Sequence, residues 1–117
     1  MRDDPGRLRD ILDAIDRVEQ YVEKGRKEFE QNELHQIWIV HHVQIIGEAA
    51  RGLSRGMRST NPQVPWADVI AMRNILIHEY FGIDLQEVWD TAVNDLPKLR
   101  EQVEAMLRSA ESADTGQ

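Results

Sequence analysis

Cysteine is absent from this 117-residue sequence. Its absence excludes both a disulfide scaffold and a metal site built from thiolates, and it is compatible with a reducing compartment. The sequence also lacks any apolar run near the roughly 20 residues that a membrane span requires. We therefore expect a cytoplasmic soluble protein, with one domain over residues 1–108 and a frayed polar tail over residues 109–117.

Positive charge is scarce relative to negative charge, and the formal net charge is −7. This balance argues against broad, sequence-independent binding of nucleic acid, because such binding depends on Lys and Arg side chains that neutralise phosphates. A small basic site is still compatible with it, since Arg51, Arg55 and Arg58 occur together without an intervening acidic residue. These three side chains are candidates for contact with RNA. The alternative is that Arg51 and Arg55 only complement the dipole at a helix C-terminus.

Strand-like alternation is absent as well, whereas apolar residues recur along the chain at helical spacing. The pattern predicts an all-α protein, an antiparallel bundle of about four main helices. We expect these helices at residues 6–31, from 32 to 54 or 55, and at 65–80, with a fourth that opens at Asp84 and bends at Pro97. Residues 56–64 are rich in Ser, Thr, Asn and Pro and are predicted to form a loop.

The predicted second helix carries apolar side chains on two sides. One side holds Trp38, Ile45 and Ala49, and the other holds Ile39, Val43, Ile46, Ala50 and Leu53. This width, together with the small residue Gly47, indicates close helix packing. It fits either a subunit interface or a central helix buried on several sides of one bundle, and the pattern alone does not decide between them.

Residues with the chemistry of a metal site are few. His41 and His42 are adjacent, so on a helix they point about 100° apart and cannot chelate one ion from one face. The sequence contains neither a Gly-rich phosphate loop nor a Ser nucleophile motif. No metal or cofactor is therefore expected, and the candidate chemistry lies between Arg73 and His78.

Arg73 and His78 interrupt a strongly apolar predicted helix, and on a regular helix they lie about 140° and 7.5 Å apart. Asn74 and His78, in contrast, share one face. Arg supplies a permanent charge that suits phosphate, and His can give or take a proton near neutral pH. If the three side chains converge on one anion, they are the parts needed for metal-free cleavage of RNA.

Structural roles are open for the same residues. Arg73 could pair with Glu48 or Asp84 in a salt bridge. His78, near a helix end, could be a satisfied structural residue, and Tyr80 could be a core aromatic with its hydroxyl at the surface.

The segment from residue 72 to 82 reads MRNILIHEYFG. It resembles the signature of HEPN-domain proteins of the HepT-like family, in which an Arg is followed by a polar residue, by His five positions after the Arg, and by Tyr two positions later. Further short segments resemble recurrent sequence motifs of that family, at residues 46–50, 53–54, 64–66, 88–89 and 95–99. The resemblance covers most of the chain, from about residue 8 to residue 107.

The resemblance implies a helical homodimer that acts as the ribonuclease toxin of a type VII toxin–antitoxin pair. Arg73 and His78 of both subunits would form a composite catalytic site at the dimer cleft, with Asn74 in a supporting role. The implied antitoxin is an MntA-like nucleotidyltransferase that transfers AMP from ATP to Tyr80, where the added negative charge would oppose the binding of RNA. A second hypothesis is a non-catalytic helical dimer that serves as binding partner or substrate platform of a nucleotidyltransferase.

Overall fold

Apolar side chains at helical spacing make the first part of the chain an amphipathic helix, α1, which covers Asp4–Val22. Asp3 begins this helix, because its carboxylate accepts a hydrogen bond from the Gly6 backbone N–H at 2.8 Å. The structure is a computed structural model that describes residues 3–74 and 84–115. Within these ranges all regular structure is helical, so the predicted all-α class is confirmed.

The helices follow one another through short connections. After α1 come α2 (Arg26–Gln31), α3 (Glu33–Arg51), α4 (Arg55–Ser59), α5 (Trp66–Ala71) and a 3-10 turn (Met72–Asn74). The second described range holds α6 (Leu85–Asp90), a π-helical turn (Thr91–Asp95) and α7 (Leu96–Thr115). α1 packs against both α3 and α7, while α2, α5, α6 and the 3-10 turn also contact α3. The second predicted helix is therefore the central one of the described bundle.

The core forms where the apolar faces of α1, α3 and α7 meet. Its fully buried side chains include Leu8, Ile11, Ile15 and Val18 from α1, Ile39 and Ile46 from α3, and Leu96 and Val103 from α7. Burying an aliphatic side chain of this size stabilises the fold by about 1.5–3 kcal/mol relative to exposure. This shared core holds α3 in a fixed position.

Gly25 divides the first predicted helix in two. Its φ of 96° lies in the left-handed region, which glycine adopts without strain. α1 ends before this residue and α2 begins after it. The prediction of one continuous helix over residues 6–31 is therefore wrong.

Gly52 follows the last residue of α3, so that helix ends slightly earlier than predicted, and part of the predicted loop forms α4. Ser54 caps α4, because its Oγ accepts a hydrogen bond from the Met57 N–H at 3.0 Å. The backbone N–H and hydroxyl of Ser54 both donate to the Asp4 carboxylate, at 2.8 and 2.6 Å. These bonds tie the segment after α3 to the start of α1.

Two predicted helix starts are confirmed, and each is capped by a side chain. Asn32 Oδ1 accepts a hydrogen bond from the Leu34 N–H at 3.0 Å at the start of α3. Asp84 Oδ1 accepts one from the Glu87 N–H at 3.0 Å at the start of α6. Both side chains satisfy backbone donors that the first turn of a helix leaves without a helical partner.

The helix predicted over residues 65–80 begins as α5 and continues as the 3-10 turn. Residues 75–83 lie outside the described residues.

At the predicted bend of the fourth helix, the π-helical turn comes shortly before Pro97, which has no N–H to donate to the carbonyl of the preceding turn. α7 extends to Thr115, into the stretch where the sequence predicts a frayed tail. An ion pair of 2.7 Å between Arg9 and Glu111 joins this part of α7 to α1.

Candidate functional site

Arg73 lies in the 3-10 turn, which packs directly against α3 at Gly47. A Cβ atom at position 47 would lie 2.5 Å from the backbone N of Arg73 and 3.0 Å from the carbonyl O of Ile70. No residue larger than glycine fits there without a backbone shift. Gly47 therefore brings the backbone of Arg73 against the surface of α3, in line with the close packing expected from its small size.

Glu48, the next residue on α3, pairs with Arg73. Its Oε2 lies 3.0 Å from Arg73 Nε, and its Oε1 lies 3.4 Å from Nη1 of Arg51. The Arg73 side chain is 33% exposed and the Glu48 side chain is 57% exposed. Because partly exposed ion pairs contribute only about 0–1 kcal/mol to stability, the main effect of this pair is to orient the guanidinium. The sequence offered Glu48 and Asp84 as salt-bridge partners of Arg73. Among the described residues, Glu48 is the one that pairs with it.

An open groove of about 280 Å³ lies beside this pair, and we call it the Arg73 groove. It is lined by His41, Gln44, Ile45 and Glu48 of α3 together with Arg73 of the 3-10 turn. The α3 residues are three, four and seven positions apart, so they form one stripe along the helix. The groove combines hydrogen-bond donors, one carboxylate and one apolar wall.

His41 is exposed at one end of the Arg73 groove, whereas its neighbour His42 is buried. Nδ1 of His42 donates to the backbone carbonyl of Trp38 at 2.8 Å. Burial lowers the pKa of His42 below its ordinary value of 6.5, and this effect outweighs the opposing one of the hydrogen bond. The His41 ring stands edge-on to His42, with 5.0 Å between ring centroids. His42 is thus a structural residue, and it supports His41.

The other predicted site residues are distributed as follows. Asn74 is exposed and ends the 3-10 turn. Because the turn is not α-helical, the angles between side chains that were calculated for a regular α-helix do not apply here. His78 and Tyr80 lie outside the described residues. Arg51 lines a neighbouring groove of about 520 Å³ that also contains Glu48.

Of the three arginines proposed for RNA contact, Arg51 shares the Glu48 carboxylate with Arg73, and the other two do not line the same groove. Arg51 lies at the end of α3, while Arg55 and Arg58 belong to α4 and line neither the Arg73 groove nor its neighbour. The residues that sequence reasoning missed as parts of the site are His41, Gln44 and Glu48. Their spacing on one helix was available as a signal, but only the fold places Arg73 opposite them.

Among residues 3–74 and 84–115, no group of three or more His, Asp or Glu side chains is arranged to hold a metal ion. No helix in these ranges is long and apolar enough to cross a membrane.

A helical bundle with the signature Arg partly exposed in a groove beside the central helix fits the helical HEPN protein that the sequence resemblance implies. The family model described as "Ribonuclease HepT-like" matches residues 11–106 of the chain. The chain therefore belongs to the HepT-like ribonuclease family.

Individual relatives match over nearly their whole length. The protein named "Putative RNase MJ1380" of Methanocaldococcus jannaschii is 36% identical over 104 residues, which cover 88% of this chain and 95% of that protein. "Putative RNase MJ1216" of the same organism is 31% identical over 97% of this chain and 94% of its own. "Probable ribonuclease HepT" of Thermococcus cleftensis is 32% identical over 85% of this chain and 91% of its own.

No solved structure matches the chain. The family match and these relatives confirm two predictions made from the sequence, a HepT-like HEPN protein and an endoribonuclease.

Proposed function

We propose that this protein is a metal-independent endoribonuclease toxin of a type VII toxin–antitoxin pair, and that Arg73 and His78 are its catalytic residues. The observation that carries the proposal is the position of Arg73. Within a chain of the HepT-like ribonuclease family, Gly47 and Glu48 hold this guanidinium at the edge of an open groove. The partly exposed guanidinium can therefore reach a phosphate bound in the groove.

The proposed reaction is attack of a ribose 2′-OH on the adjacent phosphate, which forms a cyclic phosphate and releases the 5′-oxygen of the next nucleotide. His78 takes the proton of the 2′-OH or gives a proton to the leaving oxygen, and water accepts or supplies the other proton. Arg73 neutralises the charge that develops on the phosphorane. Asn74, next to Arg73, supports the bound phosphate through its amide N–H groups.

The proposed active unit is a homodimer in which two copies of Arg73 and His78 meet at a shared cleft. Two exposed apolar side chains on α3 support this arrangement: Leu34 is 76% exposed and Ile37 is 48% exposed. Exposed apolar side chains that lie on one helix face are typical of interfaces between protein chains. An interface formed through these side chains would lie on the helix that also carries the Arg73 groove.

The proposed antitoxin is an MntA-like nucleotidyltransferase. It would transfer AMP from ATP to the hydroxyl of Tyr80, with pyrophosphate as the leaving group. The attached phosphate adds negative charge two residues from His78, where an RNA phosphate has to bind. Incubation with the nucleotidyltransferase and ATP is therefore expected to add the mass of AMP to the chain, and Tyr80→Phe is expected to abolish the addition. A modification that persists in the Phe variant would contradict this assignment.

The net charge of −7 supports a second candidate function, a non-catalytic dimer that serves as the partner of a nucleotidyltransferase. An acidic surface attracts RNA poorly unless the attraction is confined to one cleft. In this case the chain binds the nucleotidyltransferase and cleaves no RNA.

Expression of the chain alone distinguishes the two functions. The nuclease proposal predicts that the wild-type chain arrests growth and that the purified protein degrades RNA in the presence of EDTA, whereas Arg73→Ala and His78→Ala do neither. Arg108→Ala, which removes an exposed arginine from α7, is the matched control and is expected to behave as wild type. Equal toxicity of the wild type and both site variants would exclude the catalytic assignment.

A further inference from the structure

We infer that the Arg73 groove is a ribose–phosphate subsite that distinguishes RNA from DNA. His41, Gln44 and Arg73 bind the phosphate, and Glu48 accepts a hydrogen bond from the 2′-OH of the same nucleotide. The inference rests on the proposed function in one respect, the assumption that the ligand is a nucleic acid. It adds the residues that make the site bind RNA in preference to DNA.

The donors of the groove converge from two segments of the chain. His41 and Gln44 lie one turn apart on α3, and Arg73 faces them from the 3-10 turn. An imidazole, an amide and a guanidinium all carry N–H groups that can donate to phosphate oxygens. Within the part of the chain that the structure describes, the ring nitrogens of His41 make no hydrogen bond, and the ring is held edge-on to His42. The imidazole is therefore oriented in advance and available to a ligand.

Glu48 gives the groove its selectivity. When ionised, its carboxylate can only accept hydrogen bonds, and its side chain is 57% exposed beside Arg73. A phosphate alone would face this carboxylate with nothing to donate to it. A ribonucleotide brings both a phosphate for the three donors and a hydroxyl for the acceptor, and the 2′-OH is the group by which proteins tell RNA from DNA.

The size of the groove fits a single unit of this kind. Its volume of about 280 Å³ is small for a ligand site, and Ile45 supplies an apolar wall against which the carbon face of a ribose can pack. The Arg73–Glu48 pair, with Nε and Oε2 3.0 Å apart, fixes the donor and the acceptor side by side. This adjacency matches the adjacent phosphate and hydroxyl of one RNA nucleotide.

Binding of short oligonucleotides tests the inference. Fluorescence anisotropy would measure the affinities for a labelled single-stranded RNA and for the DNA of the same sequence, in the His78→Ala background so that the RNA is not consumed. We expect tighter binding of RNA, and a loss of about tenfold in the RNA-to-DNA affinity ratio for Glu48→Ala, because one hydrogen bond to a charged acceptor is lost. His41→Ala and Gln44→Ala are expected to weaken both ligands by about threefold to tenfold and to leave the ratio unchanged.

Three further variants serve as controls. Glu48→Gln keeps an acceptor oxygen and is expected to retain most of the RNA preference, which separates the hydrogen bond from the charge. Glu101→Ala removes an exposed acid and Arg108→Ala removes an exposed arginine, both from α7 and outside the groove. Neither is expected to change either affinity, and circular dichroism checks that each variant keeps its helices.

The inference is overturned if Glu48→Ala leaves the RNA-to-DNA ratio within twofold of the parent, or if His41→Ala and Gln44→Ala bind both ligands as tightly as the parent. Absence of RNA binding in the parent also overturns it. A chain that prefers RNA through Glu48 but cleaves nothing would leave this inference standing and remove the nuclease proposal. If the chain cleaves RNA but Glu48→Ala leaves the RNA-to-DNA affinity ratio unchanged, this inference fails and the nuclease proposal stands.

Discussion

Glu48 and Arg73 belong to different helical segments, yet Oε2 of the one lies 3.0 Å from Nε of the other. The contact is short because Gly47, which precedes Glu48, lets the backbone at Arg73 approach α3. The position of the candidate guanidinium thus depends on one residue that has no side chain and on another that carries a charge. Both dependences can be tested separately.

Gly47→Ala is expected to impair the site and the fold together. The added Cβ would lie 2.5 Å from the backbone N of Arg73, so the 3-10 turn has to move. Overpacking of this kind typically costs about 1–3 kcal/mol, which a urea unfolding curve would measure, and RNA cleavage should fall with the displacement of Arg73. Gly56→Ala is the matched control, since a Cβ there would have its nearest neighbour at 4.0 Å. This control should be neutral or slightly stabilising, because α4 gains a better helix former.

Glu48→Ala is expected to separate stability from activity. Removal of a partly exposed ion pair should change the free energy of unfolding by less than about 1 kcal/mol. The guanidinium of Arg73 loses its orienting partner, so the rate of RNA cleavage should fall by about tenfold or more. In a double-mutant cycle with Arg73→Ala, the two losses should be less than additive, because both variants disrupt one unit. Additive losses would show that Glu48 acts independently of Arg73.

His42 should make the fold less stable in mild acid. Its pKa is lowered in the folded state, because the effect of burial outweighs the raising effect of the hydrogen bond to the Trp38 carbonyl; His41 and Arg17 lower it further by smaller amounts, and Asp13 raises it by the least. Below pH 6.5 the unfolded chain therefore binds the proton more readily than the folded chain. The stability contributed by the neutral ring is complete above that pH and is lost as the pH falls towards the pKa of the folded state.

Urea unfolding of wild type and His42→Asn at pH 7.5 and pH 5.5 checks this expectation. Asn keeps a side-chain donor for the Trp38 carbonyl but does not titrate, so the variant should lose less stability between the two pH values. An equal loss in both proteins would assign the acid sensitivity to other groups.

Asp95→Asn is expected to stabilise the protein near neutral pH. Although Asp95 is exposed at the surface, partial desolvation of its carboxylate first, and then the carboxylates of Asp68 and Asp90, raise the pKa of Asp95 above 3.8. Its ionised form is therefore disfavoured by folding, and a neutral amide of the same shape removes that penalty. The gain in melting temperature should be present at pH 7 and should vanish as the pH falls through the raised pKa and below it. Glu101→Gln, an exposed acid on α7, is the control and should change the melting temperature less.

The sequence predicted those parts of the fold that depend on local chemistry. Helical spacing identified the all-α class, and the side chains of Asn32 and Asp84 marked two helix starts because they bond to their own first turns. Gly25 was missed as a break, since a glycine within an amphipathic pattern does not reveal that its φ is positive. The 3-10 turn was missed for a similar reason, because its residues continue the apolar pattern of the helix before it.

The candidate site was predicted less completely than the fold. Arg73 and Asn74 were identified by spacing and by the family signature, and Glu48 was considered only as a structural partner. His41 and Gln44 could not be assigned to the site from the sequence, because α3 and the 3-10 turn are far apart along the chain and only tertiary packing joins them. The roles of His78 and Tyr80 remain predictions, since both lie outside the described residues.

The contact at Gly47 has a mechanical consequence. Where two helical segments meet through side chains, small displacements of one are absorbed by rotamer changes in the other. At Gly47 the backbone of the segment that carries Arg73 rests on α3 with no side chain between them, so the reach of the guanidinium is set by the position of the central helix.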